Sequence, residues 1–117
     1  MSFHAHDVAR QLVWAIAALL PQLKQHSKKL HDEVVRATDS VISNVGEGSR
    51  RVGGDRLHHY RTAAGRAEEI RDHLEVAQAF GYLDAAACAP PLALADREVA
   101  LLWSIAQDGV RVIRFAV

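Results

Sequence analysis

What this sequence has little of sets the first limits. With one cysteine, Cys88, an internal disulfide is excluded, which fits a reducing compartment, and the surrounding Ala85-Ala-Ala-Cys-Ala-Pro-Pro reads as a turn carrying a free surface thiol. Neither sign of charge is in excess. Fourteen Lys and Arg balance fourteen Asp and Glu, so the chain as a whole has no general attraction for nucleic acid or anionic membrane, and any such attraction must be local. Long hydrophobic runs are also missing. Leu12 to Leu20 is apolar throughout but too short to span a bilayer. With Asp7 ahead of it and Pro21, Leu23 and Lys24 behind, it lacks the basic start and small-residue cleavage site of a signal peptide, so a cytoplasmic location is expected. Strand-type alternation is nearly absent.

What remains is helical periodicity. At 117 residues, 50% hydrophobic and 24% charged, the chain has the make-up of one soluble domain, residues 1–117, able to build its own core. The spacing predicts four helices, over residues 5–26, 29–48, 55–80 and 92–115. In the first, Val8, Leu12, Ala15, Leu19 and Leu23 form a stripe, and Pro21 should kink the helix near its last turn. In the second, Leu30, Val34, Ala37, Val41 and Asn44 keep a bundle seam with Val45 beside it. The third has Tyr60, Ala63, Ala67, Ile70, Leu74 and Ala77 on one side, Asp55 as its expected N-cap and Gly81 as its stop. Gly65 lies off that seam at a cost of about 1 kcal/mol in helix propensity, marking either a second close contact or a tolerated exposed glycine. Pro90 and Pro91 are expected to begin the fourth helix, which carries Val99, Leu102, Ala106, Gly109 and Ile113.

Four such helices joined by short links describe an all-α, up-down-up-down four-helix bundle. The first and last helices carry more apolar residues than one core face needs. Trp14, Ile16, Leu20, Leu101 and Trp103, with Gly65, are therefore candidates for a homo-oligomer interface. The topology also gathers Arg50, Arg51, Arg56, Arg61, Arg111 and Arg114 at one end, a candidate nucleic-acid contact, against Glu47, Asp55, Asp108 and Asp7. Glu68, Glu69, Asp72 and Glu75 make the middle of the third helix acidic.

Ser40 to Arg51 joins the two central helices. Asn44 and Glu47 are three apart, hence on one face, and near a helix C-terminus where an anion is unfavourable, so Glu47 needs a partner: Arg51, Arg61 or the backbone donors opening the next helix. Asn44 is too polar to be buried unpaired. With Gly46 and Gly48 these residues read as a polar clamp on the turn. Seven histidines raise the question of a metal, yet no Glu-x-x-His pair of a carboxylate-bridged site exists, and Glu69 with His73 has no second pair facing it. No dinucleotide or phosphate loop follows from Gly46-x-Gly48 or Gly53-Gly54, and no histidine can be assigned to activate Cys88. No catalytic residue, metal or cofactor is expected.

Ser40-Val41-x-x-Asn44-Val45-Gly46-Glu47-Gly48-Ser49-x-Arg51, then His59-Tyr60-Arg61-x-Ala63-x-Gly65-x-Ala67-x-Glu69 and Gly81-Tyr82-Leu83, together with Trp14, resemble the four-helix-bundle proteins encoded in 23S rRNA intervening sequences. Gly46 stands where that pattern usually has alanine, His59 where phenylalanine is frequent, and Arg66 where serine usually follows the glycine. The resemblance implies a homo-oligomer, a pentameric ring, with no established enzymatic activity. It also implies kinship in fold to the accessory protein of diversity-generating retroelements, which associates with a reverse transcriptase and nucleic acid. Two functions are then open: a non-enzymatic scaffold that binds RNA, DNA or a nucleic-acid-processing protein through its arginine-rich end, or a structural protein-interaction module whose arginines only neutralise nearby acids.

Overall fold

The computed structural model describes the backbone of residues 2–116 and the side chains of residues 4–107. Among these residues the chain is all helix and turn: α1 (Ser2–Ala17), α2 (Leu20–His26), α3 (Lys28–Ser49), α4 (Gly53–Ala79) and α5 (Ala85–Ala116). The bundle is a rod with extents of 52 × 19 × 19 Å. Among the described residues no helix is long and apolar enough to cross a membrane.

The first predicted helix is two. Pro21 has no amide hydrogen for the Ala17 carbonyl, and the chain tightens one turn earlier, with Leu19 N–H bonding Ile16 O at 2.9 Å before α2 restarts with the proline in its first turn. Ser27 then ends α2 and caps α3, its hydroxyl accepting from Leu30 N–H at 3.1 Å. Asp55 does not cap α4 as its spacing suggested. The helix opens two residues earlier at Gly53, whose φ of +62° needs glycine, and Asp55 sits in the first turn, where its charge suits the helix dipole. Gly81, at φ +75°, closes α4: its N–H bonds Gln78 O at 3.0 Å and Tyr82 N–H bonds Ala77 O at 2.8 Å, with Leu83 buried behind.

The last helix corrects the expectation most. It begins at Ala85, before the prolines, because the Asp84 carboxylate accepts from Ala87 N–H at 2.7 Å and the Asp84 carbonyl from Cys88 N–H at 3.2 Å. Pro90 and Pro91 then lie inside it, where the carbonyls they leave without donors belong to Ala86 and Ala87 near the solvent-facing start. Cys88 is therefore not a surface thiol in a turn. It is fully buried on the core side of α5, and burial, with Asp84 nearby, pushes its pKa up.

α3 packs on α4, α4 on α5, and α1 on both α3 and α5. Leu30, Val34, Ala37, Val41 and Val45 of α3 are buried, as are Tyr60, Ala63, Ala67, Ile70, Leu74 and Ala77 of α4, the seams that four-three spacing predicts. On α1 the buried set is Ala5, Val8, Ala9, Leu12 and Ile16. Ile16, expected on an outer face, is 1% exposed because the core stripe steps from Leu12 to Ile16 rather than to Ala15.

The core falls into two apolar clusters. The larger joins Leu12, Leu23, Val34, Ile70 and Leu74 to Ala95; the smaller, beside the α3–α4 turn, joins Ala5, Val45, Tyr60, Ala63 and Ala64 to Leu102. Between Ala95 and Leu102 on α5 lies Glu98, 0% exposed. Gly65 is half-buried and has no neighbour within 4 Å of where a Cβ would stand. Gly65→Ala should therefore raise the urea midpoint, by up to about 1 kcal/mol in stability; a fall in the midpoint would place another surface against this position.

Candidate functional site

The α3–α4 turn is built on one close approach. A Cβ on Gly48 would come within 2.5 Å of Tyr60 Cε1, so glycine alone lets the fully buried ring lie on the α3 backbone. Gly46 is different: its nearest neighbour is the Arg50 guanidinium at 3.7 Å, which leaves room for alanine. One turn earlier Asn44 donates from Nδ2 to Ser40 O at 2.9 Å and to Ser40 Oγ at 3.0 Å, which turns its Oδ1 toward α4. There it lies 2.9 Å from His59 Nδ1. Because that oxygen only accepts, His59 carries its proton on Nδ1. A phenylalanine at this position would make no such bond, and sequence reading, which named His59 only as a departure from the family pattern, missed the link.

Glu47 takes two arginines, Arg50 Nη2 at 2.8 Å and Arg51 Nε at 3.3 Å; of the partners foreseen for it only Arg51 is among them. Their hydrogen bonds, Arg50 first, hold the Glu47 carboxyl below its ordinary range. Arg51 also reaches Asp55 at 3.3 Å, so a chain of charge runs Glu47–Arg51–Asp55 from the end of α3 to the first turn of α4. Arg56 does something else: its Nε donates to Gly48 O at 3.0 Å and its Nη2 to Ser49 O at 3.4 Å, covering the last carbonyls of α3. Arg61 is exposed and forms no ion pair among the described residues. Arg111 and Arg114 lie outside the residues whose side chains are described. The turn thus brings Arg50, Arg51 and Arg56 together and gives each an acceptor, while the side chains of Arg50 and Arg51 remain 66% and 52% exposed.

The interface candidates divide. Trp14 is 78% exposed and Trp103 42%, its indole N–H donating to Glu68 Oε1 at 3.0 Å. Leu20 is half-buried and lines, with Val13, Ile16, Ala17, Val35, Thr38, Asp39 and Ile42, an open groove of about 210 Å³ between α1–α2 and α3. Ile16 is only its floor. Leu101 and Gly65 are half-buried on other faces. A second groove, about 390 Å³, runs between α3 and α4 past Arg36, Arg66, Glu69 and His73. Arg66 pairs with Glu69 at 2.7 Å and His73 Nδ1 lies 3.7 Å from Glu33, so the charges close on one another. Among the described residues no group of three or more His, Cys, Asp or Glu is placed to hold a metal.

The missed residue is Glu98. Both carboxylate oxygens are buried without a hydrogen-bond partner, as is the Tyr60 hydroxyl, and burial pushes the Glu98 pKa up to about 8, the nearby Arg97 pulling the other way. The spacing Ala95–Glu98–Leu102 places it on the seam, a signal that sequence alone contains.

A small all-helical bundle whose marked turn is closed by a glycine–tyrosine contact, an asparagine bond and paired arginines defines a class of compact helical packing modules. Within that class the chain matches the family described as 23S rRNA-intervening sequence protein over residues 2–104, most of its length, and belongs to it. No curated protein and no solved structure matches the chain.

Gly48→Ala should cost about 1–3 kcal/mol by urea denaturation, because neither the Tyr60 ring nor the backbone beneath it has space to give, whereas Gly46→Ala should cost nothing. In a carbon-detected titration Glu47 should ionise below its ordinary 4.5 and return toward it in Arg50→Ala/Arg51→Ala. Since the folded pKa is depressed, whatever these pairs contribute to stability is present above 4.5 and lost as pH falls through the folded value.

Proposed function

We propose that this protein is a non-enzymatic scaffold: an up-down-up-down four-helix bundle that assembles with copies of itself into a closed ring, a pentamer in the form its family resemblance implies. The observation that carries this reading is Trp14, 78% exposed on α1, with the apolar groove beside it. An indole left in water next to an apolar groove stabilises little until a partner covers it. Because α1 touches α3 and α5 while α4 touches the same two helices, the α1–α3 edge lies opposite the α4–α5 edge that bears Trp103. Contact between two different edges is head-to-tail, and a head-to-tail contact closes into a ring when its rotation divides the circle.

The non-enzymatic part of the reading rests on how the polar groups are used. Glu98 and the Tyr60 hydroxyl are shut away from any substrate, and the turn arginines are occupied by carboxylates and carbonyls. The arginine-bearing end is the surface through which the ring would meet RNA, DNA or a protein that handles them. Arg50 and Arg51 pair with Glu47 on an exposed surface, where solvent and salt screen the pairs and a phosphate competes readily. Repetition around a ring multiplies the patch. The alternative, a protein-interaction module without nucleic-acid contact, is favoured by the same Glu47 and Asp55, which neutralise two of the arginines.

Light scattering after size exclusion should give a mass several times that of the chain, and Trp14→Asp with Val35→Asp should reduce it to the monomer at unchanged helicity; a monomeric parent protein sinks the assembly. Mobility-shift titrations with RNA and single-stranded DNA at two salt concentrations separate the two functions. Binding that weakens in Arg50→Ala/Arg61→Ala, with the salt slope reduced by about 2, supports the nucleic-acid end, and no binding by the intact assembly at low salt removes it.

A further inference from the structure

We propose that Glu98 is the release catch of α5: it is carried in the core as the neutral acid, and loss of its proton undoes the packing of α5 against α4 and α1 at that level while α3 and α4 stay paired. The geometry is that of a charge-bearing group with nowhere to place a charge. Glu98 is 0% exposed and neither oxygen has a partner. Three residues before it, Ala95 belongs to the larger apolar cluster; four residues after it, Leu102 belongs to the smaller one, so Glu98 occupies the junction. The hydroxyl of Tyr60, which shares a cluster with Leu102, is the other buried polar group left unpaired among the described residues. A carboxylate in this place would be an uncompensated buried charge, whereas the neutral acid costs only its unmade hydrogen bonds.

Among the described residues no cation is hydrogen-bonded to Glu98. On α5 itself Asp96 is tied to Arg71 at 2.8 Å, and Arg97 is the charged neighbour that acts on Glu98, too weakly to offset burial. On α4, Glu68 accepts from Trp103 and Arg71 is held by Asp96; Tyr60 is the titratable group that faces inward. On α1 the titratable and charged residues are His4, His6, Asp7 and Arg10, and none of them is hydrogen-bonded to Glu98. The carboxyl accordingly ionises near 8 in the folded chain, against 4.5 for an ordinary glutamate. For a carboxyl shifted upward, the stability it permits is full below 4.5 and falls as pH rises toward and through the folded value. Glu98 belongs to α5, whereas α3 and α4 are joined separately by Tyr60 on Gly48, by Asn44–His59 and by Arg56.

Amide hydrogen exchange on the intact protein, followed helix by helix from pH 6 to 9.5 and corrected for the intrinsic pH dependence of exchange, reads this directly. Protection of the amides from Ala95 to Leu102 should fall roughly tenfold per pH unit up to about 8 and level off above it, relative to Val34–Val45 and Tyr60–Ile70, and Glu98→Gln should abolish that fall. Identical profiles in the parent and Glu98→Gln, or an equal loss across all helices, would overturn the proposal. The parent protein gives an independent reading that needs no variant to fold: a Glu98 carboxyl signal that titrates below pH 6 by carbon-detected NMR also overturns it.

Discussion

The contact between the Tyr60 ring and the bare backbone of Gly48 is the constraint on which the rest of the bundle depends. It fixes how near α3 and α4 come at the turn, and the alanines at 63, 64 and 67 continue that close approach along α4. Asn44 and His59 can meet only because the helices are this close, and Arg56 can cover the final carbonyls of α3 only because α4 starts where it does. The polar residues of the turn are therefore consequences of a steric fact. They add orientation and satisfy groups that would otherwise be orphaned, while the packing sets the distance.

The same dependence explains why the turn residues divide into two kinds. Asn44, Gly48, Arg56 and His59 work across the gap between helices. Glu47 and Arg50 lie outside it, and Arg51 reaches Asp55 of α4 only over exposed surface, where such attraction is screened. A family defined over residues 2–104 contains both kinds in one short stretch, so membership alone does not separate the residues that hold the fold from those open to a partner. Charge pairing and exposure do.

Much of the fold was legible because α3 and α4 keep regular four-three spacing and because glycine at position 81 and proline at 21 act through backbone chemistry that needs no tertiary context. The start of α5 was not. Two adjacent prolines read as a beginning, yet the capping carboxylate of Asp84 sets the start at Ala85, ahead of both, and Cys88 is carried into the core with it. Ile16 was misassigned by one step of the helical repeat. Glu98 escaped notice for a different reason: a charged side chain is placed outside by default, although its register between Ala95 and Leu102 put it on the seam. At the turn, sequence offered Arg51 among the partners of Glu47 but gave Asn44 no partner on α4, because the Asn44–His59 pair spans fifteen residues of chain.

Both tryptophans, Trp14 and Trp103, sit away from the two apolar clusters. The intrinsic emission of this protein is thus weighted toward its outer surface: Trp14, already 78% exposed, changes little when the chain unfolds and more when something settles over it. For this bundle, fluorescence is a gauge of occupancy, and the state of the core has to be followed by the absorbance of Tyr60 or by the backbone.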